Sequence, residues 1–350
     1  MPILKEFDRK DDRYTETFKT TTGFFDGGLG QLGGNSLTTA SLADGQKEYY
    51  LNLQYNSKDH ISIAYGDYFG SGSDDRVGQT KAVYRQMSNT LLLPNDQDEV
   101  GFVFSGSKKV GNRVRDVWFL SFERLQMKDR MNKKNWTLVL TGSNTAGDAG
   151  ITLHLTDNSE YGTAEATPVG PRWNVISGSA GNKGNNAVST IFGAFWPHAG
   201  IIALDGTQLS ASMPGATATT GKAGFGALNR ATDGSGTENV LKLLDCMSTG
   251  GGASRSTNIT HQFRAEEDVT TNSYFCRAKA TEFNFSNNPT YSSGSDNTFT
   301  QPSFITNPTT FITEVGLYDG SSDLIAIAKL STPIQKDFAN EAVIKVNLTY

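Results

Sequence analysis

Cysteine is almost absent from this 350-residue chain, which carries only Cys246 and Cys276. Two residues are too few for a disulfide framework, and they lie outside any Cys-x-x-Cys spacing. They are expected as buried free thiols, with a single disulfide as the minor alternative. Histidine is scarce as well. His60, His154, His198 and His261 stand apart, without H-E-x-x-H or any paired ligand spacing. No apolar run approaches the roughly 20 residues of a membrane span. The charged start, Met1-Pro-Ile-Leu-Lys-Glu-Phe-Asp-Arg9, lacks the apolar centre of a signal peptide. Without a secretory signal, the Asn-x-Ser/Thr sequons at Asn135, Asn258, Asn284 and Asn347 carry no weight. Charge of one sign is also missing. With 31 basic and 36 acidic residues the net charge is −5, and no basic face presents itself to nucleic acid.

Catalytic motifs are equally thin. Gly28-Leu-Gly-Gln-Leu-Gly33 matches G-x-G-x-x-G, but a dinucleotide site needs a strand before it and a helix after it. Here Thr-Thr-Gly-Phe-Phe precedes and Asn-Ser-Leu-Thr-Thr follows. No G-x-S-x-G elbow occurs. His198, after Trp196-Pro197, reads as an ordinary β-edge residue. Asp74-Asp75, Asp157 and Asp233 sit among Gly, Ser and Asn, off the EF-hand spacing, and are expected as solvated turn residues. No catalytic, cofactor-binding or metal-ligating residue is assigned, no cofactor is implied, and the chain reads as non-enzymatic.

What is abundant is glycine (37 residues), together with Ser, Thr and Asn between short apolar runs. That composition favours many strands joined by turns. The clearest stretch is the C-terminal one. Thr310–Tyr318 is β-branched and aromatic, Asp319-Gly-Ser-Ser322 supplies turn chemistry, and Leu324–Ala328 follows as the second arm of a hairpin. Pro333 is expected to close it, since proline cannot donate to a central ladder. Then Ala342, Ile344, Val346, Leu348 and Tyr350 alternate with Glu341, Val343, Lys345, Asn347 and Thr349, which places a core face and a mostly wet face on a last strand.

Upstream, strands are expected at Glu48–Tyr55, Ile61–Tyr65, Val100–Phe104, Asp116–Phe122, Trp136–Leu140, Ile151–Leu155, Arg172–Ile176 and Ser189–Phe195, with an apolar run at Ala199–Leu204. Val83, Met87 and Leu91 form a helical stripe over Thr80–Leu93, stopped by Pro94. A short polar helix fits Glu123–Met131, and Glu238–Met247 is the best helical pattern. Ser210–Gly236 is almost all small or polar and is expected to run over the surface. The resulting organisation is an extended N-terminal arm over 1–45 and a β-rich core domain over 46–350, with a loop excursion at about 205–237. Phe24, Phe25 and Leu29 are the arm's candidate anchors on another surface. The expected fold is mainly β: an antiparallel, sandwich-like core with two or three short helices and long Gly/Ser/Thr/Asn-rich loops.

Several stretches taken together carry a resemblance. They are Ile61-Ser-Ile-Ala-Tyr-Gly66 with Thr80-Lys-Ala-Val-Tyr-Arg-Gln86, and Leu120-Ser-Phe-Glu-Arg-Leu-Gln-Met-Lys-Asp-Arg130 with Asn135–Gly142. Phe192-Gly-Ala-Phe-Trp-Pro-His-Ala-Gly-Ile-Ile-Ala-Leu204, Tyr274–Ala278 with Glu282–Tyr291, and Phe311–Gly320 running to Leu324–Pro333 complete the set. In order and spacing over about residues 50–350 the chain resembles a family of virion structural proteins of contractile-tailed phages, especially cyanophage-like myoviruses. The resemblance implies a tail- or baseplate-associated subunit, a wedge or fibre-attachment component, made in the host cytoplasm and resident in the virion. It would contact other tail proteins and further copies of itself, with neither nucleic acid nor a membrane span involved. The alternative is a receptor-binding tail protein that binds or cleaves host glycan, or a neck or capsid decoration protein. Inward aromatics would suit a scaffold, and an exposed aromatic stripe a sugar binder.

Overall fold

The computed structural model describes residues 5–7, 11–26, 38–39, 49–55, 57–70, 77–97, 100–143, 150–183, 190–215, 224–225, 239–247, 261–293 and 298–350. Among the described residues strand accounts for 51% and helix for 18%, so the fold is mainly β. In chain order the first half runs β1 (Arg13–Asp26), β2 (Thr38–Thr39), β3 (Tyr50–Tyr55), β4 (Lys58–Asp67), α1 (Val77–Leu91), α2 (Pro94–Gln97), β5 (Asp116–Phe122), α3 (Arg124–Met127), β6 (Arg130–Ser143) and β7 (Gly150–Asp157). The second half runs β8 (Glu165–Thr167), β9 (Gly170–Ser179), β10 (Asn182–Lys183), β11 (Ile191–Trp196), β12 (Ile201–Asp205), α4 (Gly206–Ser212), α5 (Asn239–Met247), β13 (His261–Ala278), α6 (Ser303–Thr306), β14 (Thr310–Tyr318), β15 (Leu324–Lys336) and β16 (Ala342–Thr349). The chain divides into two compact units, Thr20–Glu267 and Met1–Lys19 with Asp268–Tyr350, and the division falls inside β1 and β13.

In the Thr20–Glu267 unit the strands follow the order β13-β6-β7-β9-β11-β12-β5-β4-β3-β2, with β8 and β10 on β9. Every neighbouring pair whose register is defined is antiparallel, from β6 on β7 to β3 on β4. At the centre of this sheet both faces are covered, as β5 shows residue by residue. Trp118, Leu120 and Phe122 enter one core with Ile61, Ile63, Leu138, Leu204 and the α5 side chains Val240, Leu243 and Leu244. Val117 and Phe119, pointing the other way, meet Tyr84 and Leu91 of α1 and Phe102. A strand buried on both faces reads as a continuous apolar run, as Asp116–Phe122 does.

β11 switches phase inside itself. Phe192 and Phe195 share one core although three residues apart, while Ala194 and Trp196 line the other. The register on β9 slips between Ile191 and Gly193, and Gly193 has φ +155°, where a Cβ would run into the Ala203 carbonyl. Only glycine fits this bulge, because an L side chain meets both the backbone strain and the neighbouring strand. Gly193→Ala is therefore expected to cost about 3 kcal/mol, read as a lowered denaturant midpoint by tryptophan fluorescence.

The helical stripe is present, with Tyr84 and Leu91 buried and Val83 and Met87 packed against the same core. Pro94 opens α2 rather than merely ending α1. The polar helix is shorter than expected: α3 is a single turn, and the chain is already extended at Arg130. Val100–Phe104 is not a strand. Phe102 and Phe104 are buried, but Gly101 turns at φ +69° and the Phe102 N–H goes to the Tyr84 hydroxyl (2.9 Å) instead of a ladder. Most of Ser210–Gly236 lies outside the described residues, yet its one large aromatic does not run over the surface. Phe225 is fully buried edge-on to Trp118, with its N–H on Met213 O (2.8 Å) and its carbonyl taking Ser210 Oγ (2.7 Å). A single aromatic in a small-residue run has enough apolar area to anchor it.

In the other unit, β16 pairs β13 from Ala342↔Ala278 to Thr349↔Thr271. Its alternation is as expected through Asn347: Ala342, Ile344 and Val346 are buried, and Val343, Lys345 and Asn347 are exposed, whereas Tyr350, expected on the core face, lies beyond the end of the strand and is exposed. The hairpin β14–β15 is a separate two-stranded sheet packed onto this pair, with Leu317, Val315, Ala326 and Ala328 against Ile344, Val346, Tyr274 and Cys276. Pro333 does not close the hairpin. β15 runs on to Lys336, because Leu330–Pro333 bulge out between the pairs Ile312↔Ile334 and Glu314↔Lys329, and within a bulge the missing N–H costs no ladder bond. Residues 13–26 of the N-terminal segment form β1, next to β13 in strand order, while Leu29 and the side chains of Phe24 and Phe25 lie outside the description.

Candidate interaction surface

The hairpin inverts the usual pattern of large side chains inward. In Leu324-Ile-Ala-Ile-Ala328 the alanines face the core, Ala326 opposite Leu317 and Ala328 opposite Val315. The isoleucines face out: Ile325 is 63% and Ile327 54% exposed, and Phe311, at the far end of β14 opposite Gln335, is 60% exposed. Ile327 pairs with Gly316, and the space above that glycine is filled by the Tyr318 ring and Leu324, themselves exposed. The turn holds this face in place. Asp319 Oδ1 accepts from the N–H groups of Ser321 and Asp323 (both 2.8 Å), and Asp319 N–H reaches Asp323 O (2.9 Å).

The loops before the hairpin are held by two buried groups. Tyr291 stacks on Phe304 (4.9 Å between centroids) and takes the edges of Phe285 and Phe299, while its hydroxyl donates to Asn284 O (3.1 Å). Lys336 is fully buried, and its ammonium donates to Ala280 O (2.9 Å), Asn284 Oδ1 (2.8 Å) and Asp337 O (2.8 Å). All three of its protons are used, and this is how a buried cation is tolerated. Lys5 donates to Glu282 (2.8 Å) and holds that carboxyl below the usual range, and Phe7 lies against Tyr274 (5.5 Å). Among the described residues fourteen of the nineteen exposed large apolar side chains belong to this unit, which is under a third of the chain. On the hairpin Leu324, Ile325 and Ile327 stand together in one short run, and an exposed apolar cluster marks an interaction surface where single exposed residues do not.

The Thr20–Glu267 unit keeps its chemistry-bearing groups in structural duty. Asp67 and Asp116 face each other in register, both buried, with Arg115 Nε 2.9 Å from Asp67 and 3.6 Å from Asp116. Asp67 also accepts from the Phe69 and Gly70 N–H groups, so it shapes the turn after β4. Asp157, expected as a solvated turn residue, is fully buried: at the end of β7 it accepts from Lys134 N (2.9 Å) and Ser159 N (3.2 Å). A cavity of about 230 Å³ beside Arg113, Thr207 and Gln208 contains the Asp205 carboxylate. Burial pushes that carboxyl up to about 6, against the N–H groups of Thr207 and Gln208 that it caps.

The histidines are scattered in space as in sequence. His60 Nδ1 is 2.6 Å from Gln126 Nε2, His154 lines an open groove with Ser177 and Lys183, and exposed His198 lies over Gly170 in the turn between β11 and β12. His261 is enclosed by Phe122 (stacked, 4.6 Å), Phe263 and Trp136. Cys246 is buried and Cys276 half-buried, both free, and burial raises both thiols. Gly28–Gly33, Asp74-Asp75 and Asp233 lie outside the described residues. Among the described residues no group of three or more His, Cys, Asp or Glu side chains is placed to hold a metal ion.

What the sequence analysis missed is the outward face of the hairpin. Its signal was present in the alternation of isoleucine with alanine, which tells the two faces apart once a core is known to need close packing on the alanine side. Ala326 and Ala328 lie inward opposite the larger Leu317 and Val315, which fill the core there, and the isoleucines alternating with them are left outside. Compared with known proteins, the chain matches no protein-family model, no curated protein and no solved structure.

Proposed function

We propose that this protein is a non-enzymatic structural subunit of a contractile phage tail, a baseplate wedge or fibre-attachment component that works through subunit contacts. The resemblance of the sequence over about residues 50–350 motivates the particle. The observation that carries the contact role is the concentration of exposed apolar side chains on the unit containing Asp268–Tyr350. Nine of the fourteen are aromatic, but Leu324, Ile325 and Ile327 on the hairpin have no ring face on which a sugar could stack, so that stretch suits protein better than glycan. In this reading the Thr20–Glu267 sheet, whose central strands are buried on both faces, is the stiff body, and the hairpin face is covered on assembly.

The double variant Ile325→Asp/Ile327→Lys tests this. Both positions are exposed, so the isolated chain should fold with an unchanged denaturation midpoint. Incorporation into particles, read by antibody labelling and cryo-electron microscopy, should fall at least about tenfold, since two buried isoleucines contribute about 1.5–3 kcal/mol each at an interface. Labelling that misses the tail, with normal incorporation of the variant, would overturn the reading.

A further inference from the structure

We propose that the outer edge of β1 is a strand-addition site for the β1 of a second copy of this chain, the two strands running antiparallel about a two-fold axis at Phe18. This deepens the assembly reading and rests on it. β1 is fourteen residues long, contains no proline and stands at the end of the strand order, with no described strand on its other side. It lies along β13 through Phe275 N–H to Asp12 O (2.8 Å), Thr15 to Asn272 (2.6 Å) and Thr17 to Thr270 (3.2 Å). Asp12 therefore faces β13 with its backbone, and alternation turns the N–H and C=O of Arg13, Thr15 and Thr17 outward. The side chains from Arg13 to Lys19 are exposed on both faces, including Tyr14 and Phe18. Proteins shorten, bend or cover such edges, because a row of outward amides and carbonyls is a template for another strand.

Charge selects the register. A two-fold axis perpendicular to the sheet keeps each face on its own side, so odd residues meet odd and even meet even. Centring on Glu16 would set Glu16 against its copy and Arg13 against Lys19, like charges in both cases. Centring on Thr17 would set each Phe18 against Glu16. Centring on Phe18 pairs the two exposed rings, places Glu16 opposite Thr20 and leaves Arg13 and Lys19 facing no basic residue. It also makes Phe18 a non-hydrogen-bonded pair, with Cα atoms about 4.5 Å apart, inside the range a disulfide spans.

The test uses the full chain. Phe18→Cys under mild oxidation should give a reducible dimer, and Tyr161→Cys, exposed in the other unit, should not. Thr17→Pro removes an outward N–H twice by symmetry and leaves the backbone bonds to β13 in place, losing toward β13 only the exposed hydroxyl contact with Thr270. It should weaken self-association in the analytical ultracentrifuge about 30-fold, with tryptophan fluorescence unchanged. A Phe18→Cys chain that cross-links no better than Tyr161→Cys overturns the proposal. So does a Thr17→Pro chain that associates like the wild type. If association persists there but is lost in Ile325→Asp/Ile327→Lys, the assembly reading stands through the hairpin and strand addition falls. A wild-type chain monomeric at all concentrations, whose Thr17→Pro variant fails to enter particles, means that a different protein's strand occupies the edge, which also overturns the second-copy proposal.

Discussion

Acidification from pH 7 towards pH 3 is expected to remove on the order of 5 kcal/mol from the Thr20–Glu267 unit through His261 alone. The imidazole is fully buried among Phe122, Phe263 and Trp136, and neither ring nitrogen has a hydrogen-bond partner among the described residues. Burial alone lowers its pKa from 6.5 to about 3. Unfolded, the ring takes a proton near pH 6.5, and folded it does not until about pH 3. The unfolded state thus binds the extra proton throughout that window. Stability is full above pH 6.5 and declines as pH falls, levelling off near pH 3. All four tryptophans, Trp118, Trp136, Trp173 and Trp196, lie in this unit, so their emission follows its unfolding. Denaturant titrations at pH 7, 5 and 3.5 should give wild-type and His261→Phe stabilities that diverge as the pH drops. At neutral pH the phenylalanine variant should be no less stable, since it removes two unsatisfied buried nitrogens. Parallel stability curves for the two proteins across the window would show that the ring is solvated in the folded state.

Lys336→Met is expected to loosen the other unit by about 4 kcal/mol. The methionine fills most of the volume, so the loss is polar: Ala280 O, Asn284 Oδ1 and Asp337 O keep their burial and lose their common donor. Lys336→Arg should not rescue it, because a planar fork cannot reach three oxygens arranged around a point charge. Hydrogen exchange followed by mass spectrometry reads the effect locally. Amides in 280–291 and 334–338 should lose about 1000-fold protection, with those of β11 and β12 unchanged. If 280–291 keeps its protection, the ammonium is dispensable and the aromatic cluster around Tyr291 holds the loop unaided.

The parts of this fold that were legible in the sequence are those where one residue's environment follows from its near neighbours. The alternation from Ala342 to Asn347 placed six side chains correctly, and the run Asp116–Phe122 announced a strand. The α5 pattern and the Val83–Met87–Leu91 stripe held for the same reason. What failed depended on distant partners. Val100–Phe104 has strand composition, but its donor goes to the Tyr84 hydroxyl. Asp157 has loop neighbours in sequence, and the Lys134 amide that buries it comes from another strand. Phe225 needed Trp118, more than a hundred residues away, to become core. The candidate surface was half legible: the hairpin was, but which of its faces stays open depends on what packs beneath it. His261 and Lys336 give no local signal, because burial of one polar side chain is decided by the whole enclosure.

The bulge in β15 has a practical consequence. Four residues, Leu330 to Pro333, stand against the single Thr313, and the register is fixed independently on either side by Ile312↔Ile334 and Glu314↔Lys329. Ser331, Thr332 and Pro333 are exposed. Chain length can change there without sliding either half of the hairpin, as it could not within a regular ladder. A short epitope grafted between Ser331 and Thr332 would leave the folded unit intact and mark its position in a larger assembly.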